Sequence, residues 1–509
     1  MKLGDIVGRL AAHRGQLVFA APDGAECVRS FQDLHRDVIA TAQWVGQLGL
    51  RPGARIGLAG PAGYAWMVWD LACIELGCVS VAFPNERGAD ACDTLIQRYG
   101  LSLLAIDAAW LDRSDGVASL PANTVLLDAA PSPVAVCAST EAREDVAAQA
   151  PDTHSLVFSS GTTGKTKGLV MSARGTEHLI DLYHDAFGVA DGERFLTFLP
   201  FANYQQRMIY YFCLYYGIDF VSVPFQGLFA GLKQYQPSFL IAPPIVYETL
   251  QTLASAGVGK ADAQREARLT ERLSALTGGK IRYMVTGMAP IRRATLDFFW
   301  RHDITLYEAF GITEAGMVAW NKPGSVRLGS VGRPAEAASV SLTEEGEVIV
   351  KRDALLSLGY FEASEEDRLA TFVAADAVAT GDIGQFDDDG FLRVVGRKKD
   401  AIISSNGEKF HPEPIEAMLQ QDSRIDVAVV MGSTAPGLRA VIGTRHHADA
   451  AVLGELRAHV AQVNAALPAQ RKLVDLVFTG SEFSIANGLR TPNLKLNRRA
   501  IAATFSSPE

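Results

Sequence analysis

The stretch Ser159-Ser160-Gly161-Thr162-Thr163-Gly164-Lys165-Thr166-Lys167-Gly168 decides how the rest of this chain is read. Its ten residues hold two Ser, three Thr, three Gly and two Lys. They follow an apolar run, Leu156-Val157-Phe158, that reads as a strand. Glycines let a backbone approach a ligand closely and turn its N–H groups inward. Hydroxyls add donors, and lysines add positive charge. That combination suits a triphosphate. The spacing is not that of the G-x-x-x-x-G-K phosphate loop, which needs Gly where this chain has Ser159. Nor is it a Gly/Ser linker, because such linkers rarely follow a strand directly or carry two lysines among spaced glycines.

Outward from this stretch the chain reads as alternating helices and strands. Arg55 to Gly60 reads as strand and turn, residues 64–77 as a helix, Cys78 to Phe83 and Leu101 to Ile106 as strands. This rhythm predicts an α/β sheet with helices on its faces. Residues 131–154, rich in Ala, Pro and Ser, read as a surface crossing. A second α/β run follows, with strands expected at 219–223, 238–242, 281–286 and 304–307, and a charged, solvated helix at 260–276. Beyond about 335 the strands shorten, as at 347–350 and 390–395. After Arg397 a smaller α+β unit is expected: strand 400–405, helix 413–421, strands 426–431 and 438–444, helix 450–466 and strand 473–478. The expected domains are therefore 1–397 and 398–509.

Composition sets the class. A chain of 509 residues exceeds one simple core, and 48% apolar with 20% charged residues is ordinary for a globular protein. A net charge of −10 argues against a nucleic-acid partner. Six scattered cysteines without C-x-x-C spacing read as reduced thiols of a cytoplasmic protein, and no zinc signature is present. The N-terminus lacks a signal peptide's apolar core. The run from Ala65 to Phe83 is interrupted by Asp70 and Glu75, so it reads as a buried helix and strand rather than a membrane span.

The Ser/Thr/Gly/Lys segment resembles the phosphate-binding loop of the adenylate-forming superfamily of acyl-CoA synthetases, luciferases and peptide-synthetase adenylation domains. Four more segments between Tyr307 and Lys495 match that superfamily in order, so the resemblance covers nearly the whole chain. It implies a large N-terminal domain of α/β subdomains and a small mobile α+β C-terminal domain. In Phe310-Gly311-Ile312-Thr313-Glu314, it implies adenine stacking by Phe310, an α-phosphate contact from Thr313, and Mg²⁺ ligation by Glu314. Gly287-Met288-Ala289 is similar to the family's turn beside the adenine and acyl pocket, where Gly311 also belongs. Asp382 is expected to accept from the ribose hydroxyls, with Arg397 as a second contact. Lys399 matches the hinge, and Lys495, in Thr491-Pro492-Asn493-Leu494-Lys495, matches the catalytic lysine of adenylation. This last motif is closest to the long-chain acyl-CoA synthetase form and lacks the usual Ser-Gly before the lysine.

One departure stands out. Asn203, followed by Tyr204, occupies a position where the family usually has a His bordering the acyl site. The resemblance implies ATP and Mg²⁺, a small carboxylic acid, and an acceptor that is CoA by default. An amino acid or amine, as in amide ligases of secondary metabolism, and a carrier protein remain alternatives. A homologue that binds nucleotide without catalysis is a further alternative, opposed by the intact Lys495, Glu314, Thr313 and Asp382. The superfamily's amino-acid activators place an aspartate near position 203; none stands there and the next one along the chain is Asp219, on the following strand, so an apolar, non-amino acid is expected. A monomer or homodimer without membrane insertion is expected.

Overall fold

A computed structural model describes residues 1–21, 23–84, 92–108, 123–127, 151–160, 166–189, 191–259, 264–403, 409–433, 437–491 and 494–505. Two large sheets dominate. The first has seven strands in the order Ser357–Phe361, Thr166–Ser172, Thr153–Ser160, Val79–Phe83, Arg55–Ala59, Leu101–Ile106, Thr124–Leu126. The second has nine, and its centre is a parallel run of Arg194–Thr197, Phe239–Ala242, Tyr283–Thr286 and Thr305–Ile312. A five-stranded sheet formed by residues between Val340 and Arg397 completes the large domain. The small domain pairs Val427–Gly432, Leu438–Gly443 and Leu473–Thr479 beneath helices Glu413–Leu419 and Ala450–Ala465. This is the α/β plus α+β division expected from the sequence.

The helix Tyr64–Leu76 shows why that expectation holds. Its residues from Trp66 to Cys73 are all buried. A helix that is apolar all round belongs in a core, and here it lies in a cluster fed by both large sheets, including Leu58, Phe195 and Phe220. Several boundaries differ from expectation. The crossing before the phosphate loop ends earlier, because Thr153 and His154 already pair in a strand. The charged helix is Arg265–Thr277, and it is amphipathic rather than solvated, burying Leu269 and Leu273. Strand 400–405 is reduced to Ile402–Ile403 among the described residues, because Lys398–Asp400 forms a 3-10 turn. Helix 413–421 stops at Leu419. Elements not named among the expectations include the N-terminal hairpin Gln16–Ala20/Glu26–Ser30 and the helix Arg498–Thr504.

Among the described residues no helix is long and apolar enough to cross a membrane. Cys73, Cys78, Cys92 and Cys213 are buried free thiols and Cys27 is partly exposed; Cys137 lies outside the described residues.

Candidate active site

The phosphate-loop candidate joins two antiparallel strands, Thr153–Ser160 and Thr166–Ser172, with Ser160 opposite Thr166. The element after the loop is therefore a strand, whereas a G-x-x-x-x-G-K loop opens a helix. Gly161, Thr162, Thr163, Gly164 and Lys165, and the side chains of Ser159 and Ser160, lie outside the described residues. Lys167 is described. Its ammonium pairs with Asp367 at 2.8 Å and sits 4.9 Å from the Tyr360 ring centroid. That pairing holds the Asp367 carboxyl below its ordinary range. The Tyr360 hydroxyl donates to Glu314 Oε1 at 2.9 Å. Burial, then the charge of Glu314, pushes the phenol upward, so it remains a donor.

Glu314 stands at a hairpin tip. Strand Thr305–Ile312 turns through Thr313, Glu314 and Ala315 into Gly316–Trp320, with a bulge at Phe310/Gly311. Gly311 is required there, since a Cβ would lie 2.5 Å from the Gly316 carbonyl oxygen. Phe310 is half-buried against the apolar cluster that contains Val318 and Val350. The neighbouring parallel strand Tyr283–Thr286 ends in Gly287-Met288-Ala289, so this turn and the Glu314 hairpin leave the same carboxyl-terminal edge of the sheet. Ligands of open α/β sheets bind at that edge. Met288 has φ +71°, a strained conformation for a non-glycine residue.

Asp382 and Arg397 face each other across a strand pair, with Arg397 Nε 3.2 Å from Asp382 Oδ1. The Asp382 side chain is 5% exposed, and among the described residues its Oδ2 has no hydrogen-bond partner. Burial raises the carboxyl, with Arg397 and then Lys495 opposing. Lys495 arrives from the far end of the chain. Burial and then Arg397 pull its ammonium below the ordinary lysine range, while Asp382 and Glu314 act in the other direction. Thus Lys495, Asp382, Arg397 and Glu314, separated by up to 181 positions in sequence, share one electrostatic environment. Lys399 is exposed in the 3-10 turn that links the two parts.

Asn203 caps helix Tyr204–Tyr216, its side chain accepting from Gln205 N at 3.1 Å. Asn is a favoured N-cap, which gives the departure at this position a local role. Tyr204 is buried, with its hydroxyl 2.5 Å from both His154 Nε2 and Thr176 Oγ1. Burial pushes His154 down to about 3, so its ring is neutral.

Next along this helix, Arg207 is fully buried and paired with the equally buried Asp70. It donates to Ser155 Oγ at 2.7 Å, Ser80 Oγ at 2.8 Å and Tyr211 OH at 2.8 Å. Tyr210 and Tyr211 donate to Asp70 Oδ2. Tyr204, Tyr210, Tyr211, Phe212 and Tyr215 of this helix are all buried in the core.

Sequence reasoning missed Tyr360, Asp367 and the Asp70–Arg207 pair. Asp70 did carry a signal: a charge inside an apolar helix requires a buried partner.

Residues 11–361 match the AMP-binding enzyme family, and residues 399–507 match the AMP-binding enzyme C-terminal domain. The chain belongs to the AMP-binding enzyme family, the adenylate-forming class. The long-chain-fatty-acid–CoA ligase of Mycobacterium tuberculosis is 27% identical, covering 92% of this chain and 89% of its own length. The 2-succinylbenzoate–CoA ligase of Geobacillus is 26% identical, covering 79% of each. Among solved structures, the anthranilate CoA ligase AuaEII in complex with anthranoyl-AMP superposes with a TM-score of 0.77 at 17% identity, covering 99% of this chain and 97% of that one. The o-succinylbenzoate CoA synthetase of Bacillus subtilis, solved with ATP and a magnesium ion, gives 0.72 at 19%, covering 97% and 98%.

Proposed function

We propose that the chain is an ATP-dependent, AMP-forming carboxylic acid–CoA ligase. The observation that carries this reading is the buried Asp382, held on one oxygen by Arg397 and unpartnered on the other among the described residues, with buried Lys495 within its electrostatic reach. A carboxylate is a poor electrophile, so it is activated first. Its oxygen attacks the α-phosphorus of ATP, an acyl–O–P bond forms, and pyrophosphate leaves. Lys495 is the group that neutralises charge between acid and α-phosphate. The partnerless, buried Asp382 Oδ2 fits a ribose hydroxyl donor, and Arg397 holds the other oxygen. The Ser159–Lys167 segment would take the β- and γ-phosphates, with Thr313 at the α-phosphate and Phe310 against adenine.

Glu314, a single half-buried carboxylate oriented by Tyr360, fits Mg²⁺, which usually takes one or two carboxylates and completes its shell with phosphates and water. The ion would supply charge neutralisation at those phosphates.

In the second step a thiolate attacks the acyl carbonyl and AMP leaves. CoA is the proposed acceptor because the curated relatives are named as CoA ligases. The acid is proposed to be apolar and non-amino. Mass spectrometry of one pooled reaction, holding ATP, Mg²⁺, a panel of acids, CoA and amino acids, tests this. A thioester is expected; an amide product would overturn the CoA assignment.

We place the start of the small domain at residue 398 and the hinge at Lys399, which is exposed within a short turn. Proline fixes φ near −65° and restricts the residue before it. Lys399→Pro is expected to keep adenylation within about twofold and to lower thioester formation at least about tenfold, a loss of roughly 1.4 kcal/mol in the transfer step. Equal losses in both steps would remove the hinge assignment.

A further inference from the structure

Lys495 is only useful if the small domain is seated on the large one, and two contacts do the seating. The first is polar. Arg292 lies just ahead of helix Arg293–Arg301 in the large domain. Its Nη2 donates to two small-domain carbonyls, Ile425 O at 2.7 Å and Asp426 O at 2.6 Å. Glu248, on the large-domain helix Pro244–Ser255, approaches Arg292 Nε at 3.5 Å and balances the guanidinium charge from behind. Arg490 of the small domain also acts on Glu248.

The second contact is apolar. Leu494, immediately before Lys495, packs against the large-domain cluster built on Leu240, Met284 and Phe298. It does so from φ +62°, in the left-handed region that a leucine avoids. A strained conformation persists only where its surroundings over-determine it. Local bonds supply part of that: Leu494 N donates to Thr491 O at 2.8 Å, and Arg490 Nη1 donates to Leu494 O at 2.6 Å. The rest comes from the docked side chain.

Resting on the adenylate-forming reading, we infer that Arg292 and Leu494 form a two-point latch that holds the small domain in its adenylating pose and so positions Lys495. Neither is a catalytic residue. When the small domain turns away for thiol transfer, both contacts break, and the latch contributes nothing to that step.

The test separates the two half-reactions. Pyrophosphate release is measured with ATP, Mg²⁺ and the acid panel; thioester formation is measured from synthetic acyl-adenylate and CoA. Arg292→Ala and Leu494→Gly are each expected to slow adenylation at least about tenfold, since two charge-assisted hydrogen bonds or the docked, half-buried leucine are lost. ATP affinity and thiol transfer stay within about twofold. Arg292→Lys and Leu494→Met are expected to recover part of the rate. Limited proteolysis at the turn Lys398–Asp400 is expected to be faster in the Ala and Gly variants. Equal loss of both half-reactions, or proteolysis unchanged from the parent, would falsify the latch. Failure of the parent chain to release pyrophosphate with any acid removes the functional reading instead, and proteolysis then still judges the latch.

Discussion

Lys495→Ala is expected to cut acid-dependent pyrophosphate release by roughly 10²- to 10³-fold, the scale seen when one preorganised donor is removed from a charge-developing centre. Two negatively charged groups, a carboxylate and an α-phosphate, must meet in the first step. The ammonium of Lys495 is desolvated, which strengthens its field at short range, and it lies within electrostatic reach of Arg397, Asp382 and Glu314. Lys495→Arg is expected to rescue little, because a planar guanidinium cannot replace a compact point charge on the same stem. Thioester formation from synthetic acyl-adenylate is expected to survive within about twofold, since the α-phosphate there is already esterified and no such encounter remains. A Lys495→Ala chain that releases pyrophosphate at the parent rate would remove Lys495 from the mechanism.

The largest stability effect is expected at Arg207. Arg207→Leu leaves Asp70 charged, fully buried and without its ion-pair partner, and strips a donor from Ser80, Ser155 and Tyr211. Breaking a buried pair by removing one member costs about 3–5 kcal/mol. The loss is measured as a shift in the chemical-denaturation midpoint. Replacing both members, Asp70→Leu with Arg207→Leu, is expected to recover most of it, because the uncompensated charge then disappears. A double variant no better than Arg207→Leu alone would show that shape, not charge, dominates this site. The network ties helix Tyr64–Leu76 and strand Val79–Phe83 to strand Thr153–Ser160, which leads into the phosphate-loop candidate, so its loss is also expected to weaken nucleotide binding.

What the sequence disclosed, and what it hid, follows from how local each signal is. The Ser/Thr/Gly/Lys segment and Phe310-Gly311-Ile312-Thr313-Glu314 are legible because their chemistry is concentrated within a few consecutive residues. Helix Tyr64–Leu76 is legible because it is apolar on every side. Tyr360 was invisible because its reach to Glu314 depends on how two different sheets pack, joining side chains 46 positions apart. Arg292 was invisible because its acceptors are backbone carbonyls 133 and 134 residues away, which no side-chain pattern announces. The helix Arg498–Thr504 was hidden by its opening Arg498-Arg499, which read as a basic extension of the Lys495 motif. In the structure Arg498 instead anchors that helix to Glu416.

The antiparallel pair flanking the phosphate-loop candidate has a consequence for spacing. Strand Thr166–Ser172 pairs on one side with Thr153–Ser160 and on the other with Ser357–Phe361, where Leu169 stands opposite Tyr360. The phosphate-loop candidate and the tyrosine that meets Glu314 are thus measured off along one ladder, in whole peptide units. Side chains alternate along a strand, so a slip of one residue would present a neighbour of Tyr360 and turn its hydroxyl to the other face. The separation between the proposed metal carboxylate and the phosphate-loop candidate is therefore set by register: the one-residue irregularities in these ladders, at Ser357/Gly359 and Thr153/Ser155, lie away from the loop, and the stretch from Gly168 to the loop pairs residue for residue.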